Sequence, residues 1–247
     1  MKYRLLLTAL SLMPASAAGA QDRAATAPEA EEIVSRMAAS DLHRQSSIEG
    51  YAGMRRYVLE NEKLQKHAEM TVRVKCDQDG TKHFEVVSED GWKAAHKHVL
   101  QKMLESESDA SRPGMRATAR LVPANYDFAL VGTEQVAGRT AYVLQVSPKR
   151  KEKYLFEGRI WVDAEDFALV RAEGSPSKNP SFWTKSTHFV QLYQKNGAQW
   201  FPVSTQSVTD ARIFGSTNVS IDYFDYAALG PVSSEDTLLS TAGSANR

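Results

Sequence analysis

The chain has 247 residues, with 30 Lys and Arg balanced by 30 Asp and Glu, so its formal net charge at pH 7 is zero. That balance excludes the concentrated positive charge of a nucleic-acid binder, and the length suits one large domain or two small ones. A single cysteine, Cys76, excludes an internal disulfide.

The first twenty residues read as a secretory signal peptide. Lys2 and Arg4 form a short positive region, Leu5 to Met13 is apolar, and Pro14 breaks it. Ala18-Gly19-Ala20 gives the small-x-small pattern before a cleavage point between Ala20 and Gln21. The apolar run is shorter than the roughly 20 residues a membrane span needs. The expectation is a protein exported to the periplasm and soluble after cleavage. Residues 21–27 are expected to be disordered, residues 28–228 to form one domain, and residues 229–247 to be a disordered polar tail.

Thr26 is expected to cap a first helix, with Glu29 three residues on as in a capping box and Pro28 in the first turn. Ile33, Val34, Met37, Ala38 and Leu42 form its apolar stripe, and it should end near Arg44. From Gly50 the period changes to two. Tyr57 and Leu59 alternate with charged neighbours; Val72, Val74 and Cys76 alternate with Arg73 and Lys75. Cys76 therefore reads as a small buried hydrophobe. Gln78-Asp79-Gly80-Thr81 signals a turn, and Phe84 and Val86 resume the alternation, predicting a hairpin.

Trp92 to Glu105 reads as a second helix with Val99, Leu100, Met103 and Leu104 on its apolar edge, and Ser106 to Pro123 as a mobile connection. Strands follow: Tyr126, Phe128 and Leu130 share a parity, then Tyr142, Leu144 and Val146, then Phe156, Ile160 and Val162 opposite Trp161. Asp163 to Asp166 turns the chain, Leu169 to Glu173 returns it, and segments from Trp183, Trp200 and Thr217 complete the series. Short turns between consecutive strands imply an antiparallel meander. The fold class expected is α+β: a strongly curved, unclosed antiparallel sheet of about 9–11 strands, which curls rather than staying flat, around two or three helices. So many strands and so few helices leave room for an apolar hollow.

One stretch is distinctive: Gly158, Ile160-Trp161-Val162-Asp163 and, eight residues on, Arg171. It resembles the G-x-I-W-V-D hairpin of the LolA/LolB-like superfamily of lipoprotein-sorting and lipid-handling proteins, which includes RseB-type regulators. Gly50-Tyr51 before Arg56-Tyr57, and Ile221 to Tyr226, suit the same architecture. The resemblance implies a half-barrel with a cavity for acyl chains, and a lid held by an arginine. Arg55, Arg56 and Arg73 are the candidates, with no motif to choose among them.

The residues expected to line such a cavity are Val72, Val74, Phe84, Val86, Trp92, Leu100, Met103, Tyr142, Leu144, Phe156, Ile160, Val162, Phe189, Val219, Ile221 and Tyr223. No nucleophile elbow, phosphate loop or metal-binding motif occurs, so neither catalysis nor a cofactor is expected. His96 and His98 are two apart and cannot share a helix face; both read as solvated. Asp163, Glu165 and Asp166 lack the pattern of a calcium loop and read as a polar hairpin tip. The functional expectation is a monomeric carrier of the acyl chain of a lipoprotein or lipid, meeting membrane proteins transiently. The alternative is an RseB-like regulatory module that binds an envelope protein.

Overall fold

A computed structural model describes residues 28–179, 184–212 and 215–230. The leader with its Ala20–Gln21 junction, the Thr26 cap, Trp183 and the tail beyond 230 lie outside the described residues. The chain runs α1 (Ala30–Ser46), β1 (Gly50–Asn61), β2 (Lys66–Asp77), β3 (Lys82–Gly91) and α2 (Lys93–Ala95). A π-helical turn (His96–Leu100), α3 (Gln101–Ser111) and α4 (Pro113–Ala119) follow. The remaining strands are β4 (Tyr126–Val136), β5 (Arg139–Pro148), β6 (Phe156–Asp163), β7 (Leu169–Pro176), β8 (Thr184–Asn196), β9 (Gln199–Ala211) and β10 (Gly215–Leu229).

All ten strands join one sheet in the order β3-β2-β1-β10-β9-β8-β7-β6-β5-β4. Every pairing is antiparallel, and β10 returns to β1 with Leu229 opposite Gly50. The edges β3 and β4 do not pair, so the sheet is an unclosed, curved half-barrel around the helices. This is the architecture that the resemblance implies.

The concave face carries two apolar clusters. Tyr57, Leu59, Met70, Val72, Val219 and Ile221 of β1, β2 and β10 pack against Ala95, Leu100 and Leu104. Leu144, Val146, Ile160 and Val162 of β5 and β6 pack against Ile33, Val34 and Met37 of α1. Between them β8, β9 and β10 present a polar strip: Thr205 Oγ1 lies 3.0 Å from the Tyr223 hydroxyl, and Tyr193 donates to Gln191 at 2.9 Å. The convex face holds a smaller cluster of Ala141, Val143, Trp161 and Val170.

The distinctive hairpin has a physical reason at each position. A Cβ on Gly158 would stand 2.0 Å from the carbonyl oxygen of Glu173 on β7, so only glycine permits this approach. Ile160 and Val162 fill the concave core, while Trp161 lies under the Arg171 guanidinium at 4.7 Å on the other face. Asp163 closes the turn by accepting the amides of Glu165 and Asp166 at 3.0 and 2.7 Å. Arg139 grips the same carboxylate from β5 and also reaches Glu165 and Asp166 at 3.1 and 3.4 Å. A side-chain cation is thus already bound at the acidic tip.

Three expectations need correction here. The first helix begins at Ala30 with Glu29 as its N-cap and no side-chain capping bond, and Leu42 is 51% exposed. Ser106 to Pro123 is not a loose connection, since α3 continues to Ser111 and Pro113 starts α4 at the helix position where its missing N–H costs nothing. The polar residues that blur the apolar period there face the sheet. The Ser111 hydroxyl accepts the Lys82 amide at 2.9 Å, and that of Ser108 donates to the Lys82 carbonyl at 3.2 Å. Finally, His96 is buried, with Nε2 2.8 Å from the Asp90 carbonyl, and only His98 is solvated.

The β4–β5 turn places Ala137 at φ 50, a left-handed conformation that costs a residue with a Cβ but suits asparagine. Ala137→Asn is expected to stabilise the fold by about 0.5–1 kcal/mol. Urea denaturation should show a higher midpoint with an unchanged slope.

Candidate functional site

The π turn and α3 lie across the concave face as a flap; His96, Ser108 and Ser111 bond the β3 backbone, and one charged contact joins the flap to β1. Arg55 points inward from β1 with the same parity as Tyr57 and Leu59, and is 1% exposed. Its Nη1 donates to Glu107 Oε2 on α3 at 2.7 Å and to the Tyr57 hydroxyl at 3.2 Å. The guanidinium lies 4.8 Å over the Tyr223 ring and 5.3 Å over that of Phe84. Lys82 of β3 donates to the other Glu107 oxygen at 2.7 Å.

Burial alone would raise the Glu107 pKa, but Lys82 and Arg55 outweigh it and hold the carboxyl at about 2. Burial would likewise lower that of Arg55, and Glu107 reverses the direction. Both groups are therefore charged across the physiological range. The Arg55 Nε has no partner among the described residues. Buried ion pairs of this kind add little net stability over an apolar packing of the same shape, yet breaking one side is costly.

At the end of the sheet where α1, α4, the β2–β3 turn and β9 meet there is a cavity of about 220 Å³. Its wall includes Arg44, Arg116, Lys82, Asp41 and Asp77, with the rings of Tyr51, Trp200 and Phe201. Phe201 stacks on Tyr226 at 4.2 Å and meets the Tyr51 edge at 5.2 Å. Burial, first, and the Cys76 thiol raise the Tyr51 pKa. Cys76 itself is buried, and burial raises its thiol pKa, so it is an unreactive hydrophobe as its parity suggests.

Residues 123–226 match a family of unknown function, DUF5686. Among curated proteins, none matches the sequence. A DUF1329 family protein from Desulfovibrio piger is similar in structure, with 13% identity over 87% of this chain and 98% of that one, and a TM-score of 0.43. A LolA superfamily protein from Nitrosomonas europaea is similar with 11% identity over 85% of this chain and 97% of that one, and a TM-score of 0.44.

The structure divides the expected lining residues rather than gathering them. Val72, Leu100, Val219, Ile221 and Tyr223 lie in the cluster beneath the flap, with Phe84, Trp92 and Met103 at its margin. Leu144, Ile160 and Val162 lie in the α1 cluster with Tyr142, Phe156 and Phe189 around them. Val74 is buried outside both clusters. Val86 is a correction: it stands opposite Val72 but is 42% exposed, because β3 is an edge strand with a neighbour on one side only. Side chains of the two clusters pack the concave face under the flap, and the 220 Å³ cavity lies at the sheet end with mixed polar and aromatic walls.

Of the three candidate arginines, Arg56 pairs with Glu69 at 2.7 Å and Arg73 with Glu85 at 2.6 Å, both exposed. Only Arg55 faces the helices. Its parity with Tyr57 carried that signal in the sequence. Glu107 and Lys82 carried none, since their partner strands are distant along the chain. Among the described residues no group of His, Cys, Asp or Glu is arranged to hold a metal, and no helix is long and apolar enough to cross a membrane.

Proposed function

We propose that the chain is a non-enzymatic binder and carrier of acyl chains in the bacterial periplasm, working in lipoprotein or lipid trafficking toward the outer membrane. The observation that carries this reading is the Arg55–Glu107–Lys82 latch, which ties a flap carrying buried Leu100 and Leu104 to the concave face. The leader-like N-terminus and the sequence resemblance support the same reading.

The flap is built to move as a unit. At its start, Trp92 donates its amide to the His67 carbonyl at 2.8 Å, and His96 is anchored on Asp90. The π turn follows directly, and such turns recur at functional hinges. At its far end the latch is the main tie to β1. At the other side of the concave face α1 is tied to the sheet by Arg44 donating to the Asp166 carbonyl at 3.0 Å and Gln199 donating to the Arg44 carbonyl at 3.1 Å.

Opening the flap uncovers Leu100 and Leu104 together with Tyr57, Leu59, Met70, Val72 and Ile221. An acyl chain laid in their place regains about 0.8 kcal/mol for each buried methylene. About a dozen methylenes then recover more than the roughly 3–5 kcal/mol that breaking a buried ion pair costs. The chain needs no specific polar contact to stay bound, and the latch decides when it enters.

Native mass spectrometry of the protein purified from the periplasm is expected to show a lipid-sized adduct. Its absence, together with no saturable uptake of a fluorescent fatty acid, would contradict the reading. A stable membrane-protein complex in place of the adduct would favour the regulatory alternative.

A further inference from the structure

Two guanidiniums on the wall of the sheet-end cavity, those of Arg44 and Arg116, make no close ion pair among the described residues. Each acid on its wall is already engaged: Asp77 by His83 at 2.7 Å and Lys75 at 3.2 Å, and Asp41 by Arg120 at 3.7 Å. Lys82 is committed to Glu107. The two guanidiniums are different. Arg116 Nη2 donates to Gln45 Oε1 at 2.5 Å and its Nη1 to the Asp79 carbonyl at 2.8 Å, both neutral oxygens. Arg44 donates to the Asp166 carbonyl. Neither makes an ion pair among the described residues; Asp41 and Asp166 act on Arg44, and Asp79 on Arg116, only at longer range.

Both arginines are also held in place. Gly80, at φ +89, lies so close under Arg116 that a Cβ there would stand 2.0 Å from Nη1, and the turn thus cradles the guanidinium. Arg44 is half buried, and that burial lowers its pKa, as expected for a cation lacking a close counter-charge. Behind them the Tyr51, Phe201 and Tyr226 rings lead from the cavity to the margin of the cluster beneath the flap.

We propose that Arg44 and Arg116 bind the oxyanion of an anionic amphiphile, a phosphate or carboxylate head seated in the cavity while its chain runs past the aromatic rings and under the flap. The proposal rests on the acyl-binding reading and narrows it to anionic lipids. Guanidinium forks suit phosphate and carboxylate oxygens, and such charge-assisted bonds are roughly twice as strong as neutral ones. A cavity of 220 Å³ admits a head group but not a long chain, so the chain must lie elsewhere on the concave face.

Calorimetric titration with a lysophosphatidic acid, a monoacylglycerol of the same chain and inorganic phosphate separates the possibilities. The wild-type chain is expected to bind the lysophosphatidic acid about tenfold or more tightly than the monoacylglycerol. Arg116→Gln should remove that preference and leave monoacylglycerol binding unchanged, while Arg116→Lys retains part of it. Arg116 is not in the core, so circular dichroism and thermal melts should match the wild type. Equal affinities for the two amphiphiles, or a preference that survives Arg116→Gln, would overturn the proposal. If inorganic phosphate binds as tightly as the lysophosphatidic acid and Arg116→Gln abolishes both, the site takes a free anion and the lipid assignment falls. If neither amphiphile binds, it is the acyl-binding reading that fails.

Discussion

Glu107→Ala is expected to destabilise the fold by about 3–5 kcal/mol, because it leaves Arg55 buried with no counter-charge. Arg55 is 1% exposed, keeps only the neutral Tyr57 hydroxyl at 3.2 Å as an acceptor, and Lys82 loses the same carboxylate. Replacing both partners with apolar residues of similar volume, Arg55→Met with Glu107→Leu, should recover most of that loss while removing the latch. Urea denaturation of the two variants measures the difference directly.

The same contact sets a pH dependence whose sign is fixed by the direction of the shift. The Glu107 carboxyl titrates at about 2 in the folded chain against an ordinary 4.5, so its contribution is complete above the ordinary value. It is lost as the pH falls from there towards about 2. Because Glu107 retains some solvent contact, the loss should be about 2 kcal/mol rather than the full value of the shift. Glu107→Gln should flatten this part of the pH profile; an unchanged profile would place the acid sensitivity elsewhere.

The second large effect belongs to Asp163. Its carboxylate is 1% exposed and accepts four bonds, from Arg139 Nε at 2.5 Å and Nη2 at 2.9 Å and from the amides of Glu165 and Asp166. Burial would raise its pKa, but the Arg139 bond and the two amides hold it below the usual carboxylate range. Asp163→Ala leaves the turn amides and Arg139 without this acceptor and should cost about 3 kcal/mol. Asp163→Asn keeps a neutral acceptor and should cost about half as much. Because Trp200 donates to Asp166 at 3.1 Å and lies 5.6 Å from Arg139, its emission should shift to the red in the alanine variant. Added calcium should leave the wild-type melting temperature unchanged, since Arg139 already fills the place of a cation.

How much of this was legible in the sequence depends on the kind of interaction. Strand parity was readable because each strand buries one face: Tyr57 and Leu59, Leu144 and Val146, and Ile160 and Val162 all face the core as their spacing indicates. The two-residue turn after Val136 was readable from its glycine. The flap was not, because Glu107, Ser108 and Ser111 look like solvent-facing residues until Lys82 and Arg55 are set opposite them. Those partners are 25 and 52 residues away in sequence. The burial of His96 is hidden in the sequence for a related reason: two histidines on opposite helix faces leave one turned inward, and its partner there is the Asp90 backbone rather than a side chain.

Binding of acyl chains in place of the flap on the concave face is measured most directly by a chain-length series. Saturated fatty acids of increasing length, titrated against the purified chain by displacement of a fluorescent analogue, should bind about fourfold more tightly for each added methylene, as 0.8 kcal/mol per group requires. The increase should level off once the chain exceeds the uncovered surface, and the Arg55→Met, Glu107→Leu variant should keep the slope while binding faster. Affinity that does not depend on chain length, or no saturable binding at any length, would contradict the account.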